Sequence, residues 1–231
     1  MSEKKSVIIG VDPHKMSVTI EVVDHNEQLL GTGRFDTNNA GYAALLVDSF
    51  TPRNVDQNQC NGGGVGVYEI NDRPRDANAA QKYLAKKRTI DAARIVLMGW
   101  SHGASSTMAT LSDSMVKAGE KPYKAGYGFY PGCGLYNAFG GILTSSYKPY
   151  VPLTIFHGDA DPLYQSGFCQ QRIDNAIKLG ANDFSMTVFS GAQHSFDMAR
   201  SVTSPWTIYD VNAKASADSM IMQSLLQTFG K

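Results

Sequence analysis

Between residues 74 and 229 short apolar runs alternate with helix-forming stretches, and this alternation constrains the chain more than any other feature. Residues 74–88 open on Pro74, which suits a first helical turn because its missing N–H would be unpaired there anyway. Apolar positions follow at Ala77, Ala80, Tyr83 and Leu84. Residues 94–98 (RIVLM) form a short apolar run of the buried-strand kind. A helix is predicted over 104–117, strands over 123–130 and 152–157, and a helix over 166–179 stopped by Gly180. A last strand is predicted over 183–189 and a last helix over 213–229. Strands that alternate with helices pair in parallel and carry helices on both faces. At 231 residues and 42% hydrophobic content, the chain suits a single α/β domain with a full core.

The first 40 residues follow another pattern. Three β-prone runs, 7–11, 17–23 and 28–35, are separated by the short turns 12–15 and 24–27. Close spacing without intervening helices predicts an antiparallel meander, atypical beside the rest. Residues 61–66 are Gly-rich and read as a loop.

Composition removes several classes. Lys plus Arg is 21 and Asp plus Glu is 21, so no net field favours nucleic acid or an anionic membrane. The apolar run near the N-terminus is too short for a signal-peptide core, and no stretch approaches the ~20 apolar residues of a membrane helix. A cytoplasmic protein without nucleic-acid or membrane partners is expected. Cys60, Cys133 and Cys169 have no CxxC spacing, so no zinc site is expected; no cofactor is expected either. The odd count argues weakly against a disulfide framework and leaves room for one pair.

The chemistry concentrates at Gly99-Trp100-Ser101-His102-Gly103, a G-x-S-x-G between a predicted strand and a predicted helix. At such a turn the serine oxygen is exposed, and the following helix aims N–H groups at it. The flanking glycines remove side chains that would clash with neighbouring elements. The competing reading is an ordinary strand–helix loop with a capping serine. A nucleophilic serine needs a base, and the base needs an orienting carboxylate. Asp159 and Asp161 follow the strand 152–157, and His194 follows the strand 183–189, in the chain order serine, acid, histidine. Asp161 is preferred as the acid, with Asp159 capping its turn.

With these motifs stand GYAALLVDSFTPR (41–53), RPRDANAAQKYLA (73–85), DAARIVLMGWSHGA (91–104), FYPGCG (129–134), PLTIFHGDADPL (152–163) and GAQHSFDM (191–198). From about residue 41 onward the chain resembles the dienelactone hydrolase family. The resemblance implies an α/β-hydrolase-like, mostly parallel sheet and hydrolysis of a small ester or lactone through an acyl-enzyme. Ser101 would attack the carbonyl carbon, His194 would shuttle the proton, and Asp161 would hold His194 in its tautomer. The backbone N–H of His102 would be one oxyanion donor, with the His102 side chain pointing away. Many family members carry cysteine at the nucleophile position, so Ser101 implies a serine esterase variant. Arg73 and Arg75 could bind an acidic substrate group, or form a solvated helix start paired with nearby Asp. Trp100, Tyr130 and Cys133 either line the pocket or pack.

The start of the chain departs from that family, for no His-Gly loop precedes residue 60 to supply a second oxyanion donor. Residues 7–24 and 34–46 resemble instead the N-terminus of IS110-type transposases, in which the position of Asp12 binds metal. Asp12 alone cannot hold the two metals of phosphoryl transfer, and a turn residue before Pro13 is favoured. The chain thus reads as a junction of two families near 36–46, with GYAALL (41–46) favoured as strand. The meander is expected to cover a sheet edge. On one hypothesis, residues 7–11 take the vacant central strand position and bring the loop 12–15 near Ser101. The alternative function is a weak or inactive hydrolase-fold protein whose N-terminal strands drive homodimerisation by edge pairing.

Overall fold

The structure is a computed structural model that describes residues 5–11, 21–23, 29–32, 42–53, 71–115, 122–135, 139, 141, 146–198 and 208–229. Its elements run β1 (Lys5–Val11), β2 (Glu21–Val23), β3 (Leu29–Thr32), β4 (Tyr42–Leu46), α1 (Asp72–Ala85), β5 (Ile90–Trp100), α2 (His102–Thr110), β6 (Gly126–Phe129), β7 (Leu153–Gly158), α3 (Ser166–Lys178), β8 (Phe184–Phe189) and α4 (Val211–Phe229). The Asp12–Lys15 turn, the turn at 24–27, Cys60 and the Gly-rich stretch 61–66 lie outside the described residues.

Six strands form one sheet in the order β4-β1-β5-β6-β7-β8, and every pair in it is parallel. β5 shows why both faces are covered. Ile95 and Leu97 join one apolar cluster, with Ala77 and Ala80 of α1, Met108 of α2 and Ile173 of α3. Val96 and Met98 point the other way, onto Ala213, Ala217, Ile221 and Leu225 of α4. Successive strand residues face opposite sides, so a continuous apolar run supplies both layers at once.

The N-terminal meander is corrected. β1 does not pair with β2; it lies in the main sheet between β4 and β5, with Val11 level with Gly99. The reason is visible in its sequence. VIIGV is continuous rather than alternating, the pattern of a strand covered on both faces. Only β2 and β3 pair antiparallel, as a separate two-stranded sheet, and β2 lies against the edge strand β4. The segment at 42–46 is strand, as its sequence favours.

Two boundaries also move. β5 begins at Ile90 rather than 94. α2 stops at Thr110 rather than 117, because the chain beyond it bonds sideways: Tyr150 N–H donates to the Leu111 carbonyl, and Asp113 N–H to that of Lys148.

Candidate active site

The carboxyl ends of parallel strands leave their loops at one end of the sheet, and three of those loops meet here. Ser101 sits between β5 and α2 with φ 50° and ψ −117°. Its N–H donates to the Phe129 carbonyl at the end of β6 (2.9 Å), which pins the turn. A Cβ at Gly99 would overlap the carbonyl of Gly103 and the Thr107 side chain, so only glycine lets strand and helix meet this closely.

Ser101 Oγ lies 2.8 Å from His194 Nε2, and His194 Nδ1 lies 2.8 Å from Asp161 Oδ2. A carboxylate only accepts, so Nδ1 carries the hydrogen and Nε2 is left to accept from the serine hydroxyl. Asp161 Oδ1 accepts the N–H groups of Leu163 (2.8 Å) and Tyr164 (3.0 Å). Burial pushes the Asp161 carboxyl up. The hydrogen bond from His194 and those two backbone N–H groups outweigh it and hold the acid below its usual range. Asp159 is exposed and accepts the Gly191 N–H (2.6 Å), closing the turn ahead of His194.

Backbone strain gathers at the same place. Among the described residues, the non-glycine positions with positive φ are Ser101 (50°), Tyr130 (42°) and Ser195 (57°). The first bears the hydroxyl, the second touches the imidazole, and the third follows it. Non-glycine residues rarely hold such angles, and they persist only where the surroundings over-determine them.

The four candidate lining residues separate. Trp100 is half-buried, stacked on Phe129 at 5.5 Å. Tyr130 is fully buried, its ring 4.6 Å from that of His194. Cys133 is also buried; it belongs to the core and is disulfide-bonded to Cys169. Arg73 is 1% exposed, so the solvated reading does not hold for it. It donates to His102 Nδ1 and lies over the Phe50 ring (5.2 Å), which draws the His102 side chain toward α1. The nearby acid, Asp76, is held bidentately by Arg53 instead (2.8 and 2.9 Å). Arg75 is exposed.

Sequence reasoning passed over three buried polar groups. Arg172 donates to the carbonyls of Cys133 (2.9 Å) and Phe139 (3.1 Å). Its signal was available, for it falls in the buried i, i+3, i+4, i+7 stripe Cys169, Arg172, Ile173, Ala176 of α3. Asp197 accepts from Trp100 and Tyr130. His157 is wholly buried, with Nδ1 3.0 Å from the Gly158 carbonyl and Nε2 3.9 Å from Asp161 Oδ2.

Burial pulls His157 below its ordinary 6.5, against the opposing pull of Gly158 and Asp161. Below about 6.5 the unfolded chain therefore takes up a proton that the folded chain refuses, and stability falls as pH falls. The contribution of Asp161 survives further. It is present above the unfolded value of 3.8 and lost only as pH falls through its lower folded value. Melting temperature is expected to drop between pH 7.5 and 5.5, and His157→Gln to flatten that slope. An equal slope in the variant would assign the decline elsewhere.

The match to the dienelactone hydrolase family model spans residues 36–231. A putative dienelactone hydrolase from Klebsiella pneumoniae shares the fold at TM-score 0.66 and 15% identity, covering 98% of this chain and 89% of that one. A dienelactone hydrolase-like promiscuous phosphotriesterase from metagenomic libraries superposes at TM-score 0.64 and 16% identity, over 99% of this chain and 88% of that one. A thermophilic esterase from Thermogutta terrifontis with propionate bound gives TM-score 0.58 and 17% identity, over 96% and 84%. Among curated proteins none matches. The likeness of residues 1–46 to transposases finds no support among these relatives, and the structural matches cover the N-terminal strands as part of the hydrolase fold. The chain belongs to the dienelactone hydrolase family and is a hydrolase of the α/β fold.

Proposed function

We propose that the protein is a serine hydrolase that cleaves small carboxylic esters or lactones through an acyl-enzyme. The observation that carries this reading is the pair of hydrogen bonds that joins Ser101 Oγ to His194 Nε2 and His194 Nδ1 to Asp161 Oδ2, each 2.8 Å. Ser101 Oγ attacks the carbonyl carbon while His194 Nε2 takes its proton. The same nitrogen returns that proton to the leaving oxygen as the tetrahedral adduct collapses. Water then repeats the sequence to free the acid. Asp161 keeps Nδ1–H in place and stabilises the imidazolium.

The backbone N–H of His102, first in α2, is the proposed oxyanion donor; losing one such donor typically costs about 100- to 1000-fold. Propionate in the Thermogutta esterase and the phosphotriester activity named for the metagenomic enzyme favour a compact electrophile attacked by an activated oxygen. The family match supports hydrolysis in general, and the serine in place of cysteine supports the ester class.

A chromogenic acyl ester should give a burst stoichiometric with enzyme, and a fluorophosphonate should label Ser101. No burst and no labelling would favour an inactive hydrolase-fold protein. Positioning is tested at Gly158, where a Cβ would overlap the backbone carbonyl of Ala192 in the loop that carries His194. Gly158→Ala should shift that loop and lower kcat about a hundredfold, since a misplacement of about 1 Å costs that much. Unchanged turnover in the variant would mean that the loop yields without moving the imidazole.

A further inference from the structure

We propose that Asp197 is a positioning residue for the His194 base, holding the nucleophile strand and the base loop in one fixed relation. The inference rests on the Ser101–His194 reading above and extends it to a group outside the triad.

Asp197 lies three residues beyond His194 and is 5% exposed. Its two oxygens serve two different elements. Oδ2 accepts from Trp100 Nε1 at 2.9 Å, and Trp100 immediately precedes Ser101 in the chain. Oδ1 accepts from the Tyr130 hydroxyl at 2.7 Å, and Tyr130 is the first residue beyond β6. One buried carboxylate therefore joins the end of β5, the end of β6 and the loop after β8. Hydrogen bonds to an ionised acceptor are shorter and stronger than neutral ones.

The consequence reaches the imidazole through Tyr130. That ring sits 4.6 Å from the His194 ring, tilted by 58°, and forms one wall against which the base rests. Tyr130 holds this place at φ 42°, a conformation costly for a bulky residue. Its N–H is anchored to the Phe156 carbonyl (2.7 Å) and its hydroxyl to Asp197. Removing the carboxylate frees the hydroxyl end and lets the strained residue relax, taking the wall with it. Asp161 would still hold Nδ1, but it grips the imidazole at one edge. The rotation of the ring, and so the direction of Nε2 toward Oγ, depends on the packed face.

The carboxylate is specific to this role because it only accepts. Asparagine has nearly the same shape, yet it turns an N–H group toward one of two donors and leaves that donor unpaired. Asp197→Asn thus tests the bonding with the volume preserved. Tyr123 provides the control. It precedes β6 at the amino end of the sheet, opposite the triad, and its hydroxyl donates to the Ala77 carbonyl (2.8 Å), so Tyr123→Phe removes a buried hydrogen bond there.

The experiment compares wild type, Asp197→Asn, Trp100→Phe and Tyr123→Phe at a temperature where all are folded. It reads melting temperature, kcat and KM on an acyl ester, and the fluorophosphonate labelling rate. Asp197→Asn is expected to lower kcat and labelling about 10- to 100-fold, the range that a displacement near 1 Å produces, with KM within about twofold. Tyr123→Phe should lower the melting temperature and leave both rates unchanged. If Asp197→Asn fails to fold, Trp100→Phe decides: it deletes one donor, keeps an aromatic ring on Phe129, and should also lower kcat with KM unchanged. Lowered melting with wild-type labelling and kcat would overturn the proposal, reducing Asp197 to structural glue. A wild-type protein that resists the probe would overturn the serine-hydrolase reading itself, a failure seen before any variant is made.

Discussion

Ser101→Ala is expected to abolish fluorophosphonate labelling and the acyl burst, and to lower kcat on the order of a millionfold. That is the scale at which removal of either member of a serine–histidine pair acts. The hydroxyl is half-buried and donates to an imidazole 2.8 Å away that is itself held from behind, so no neighbouring group stands ready to replace it. His194→Ala should cost about as much. The double variant should cost no more than either alone, because the two act as one unit. Asp161→Asn should lose less, about 10⁴-fold, since the imidazole remains but is held in the wrong tautomer. Residual rate in every case comes from binding and the oxyanion donor. Substantial burst activity in Ser101→Ala would refute the serine mechanism outright. Additive losses in the double variant would show that the two side chains act separately.

Opening the Cys133–Cys169 bond is expected to lower stability by about 4 kcal/mol, following the chain-entropy relation for a loop closed over 36 residues. For a chain of this size that corresponds to a melting temperature lower by roughly 8–15 °C. Cys133 lies three residues beyond Tyr130, and Cys169 lies in the first turn of α3. Arg172, one turn further along α3, donates to the carbonyls of Cys133 and Phe139. Bond and guanidinium together clamp the loop beneath the imidazole's aromatic wall onto a helix. The cystine is buried, so a mild reductant should act slowly, and a Cys133→Ala/Cys169→Ala variant gives the cleaner comparison. Melting curves with and without strong reductant, with thiol titration of the unfolded chain, provide the check. Three free thiols in the purified protein would remove the premise.

Much of the site was legible because it is written locally. The glycines around Ser101 state a turn too tight for side chains, and the structure shows the overlap that a Cβ at Gly99 would make. Asp161 and His194 each follow a short apolar run at the point where a strand must end, and the structure brings both to Ser101. Asp197 carries no such mark. It stands in HSFD without periodicity, and its partners lie 97 and 67 residues away. His157 reads as one more strand residue, and only the sheet's depth makes it a buried imidazole beside the acid.

By itself the sequence determined the alternation of strands and helices, the nucleophile turn, and the order serine, acid, histidine. Each is set by residues adjacent in the chain, where side-chain period and backbone sterics act directly. Between the two readings of residues 7–11, meander strand or central strand, tertiary structure decided for the second: β1 enters the sheet in parallel between β4 and β5. It also decided that Cys133 bonds Cys169, that Tyr130 rests against the His194 ring, and that one carboxylate joins the ends of β5 and β6 to the loop after β8. Those outcomes depend on which distant surfaces exclude water together, and burial is a property of the assembled layers rather than of any short stretch of chain.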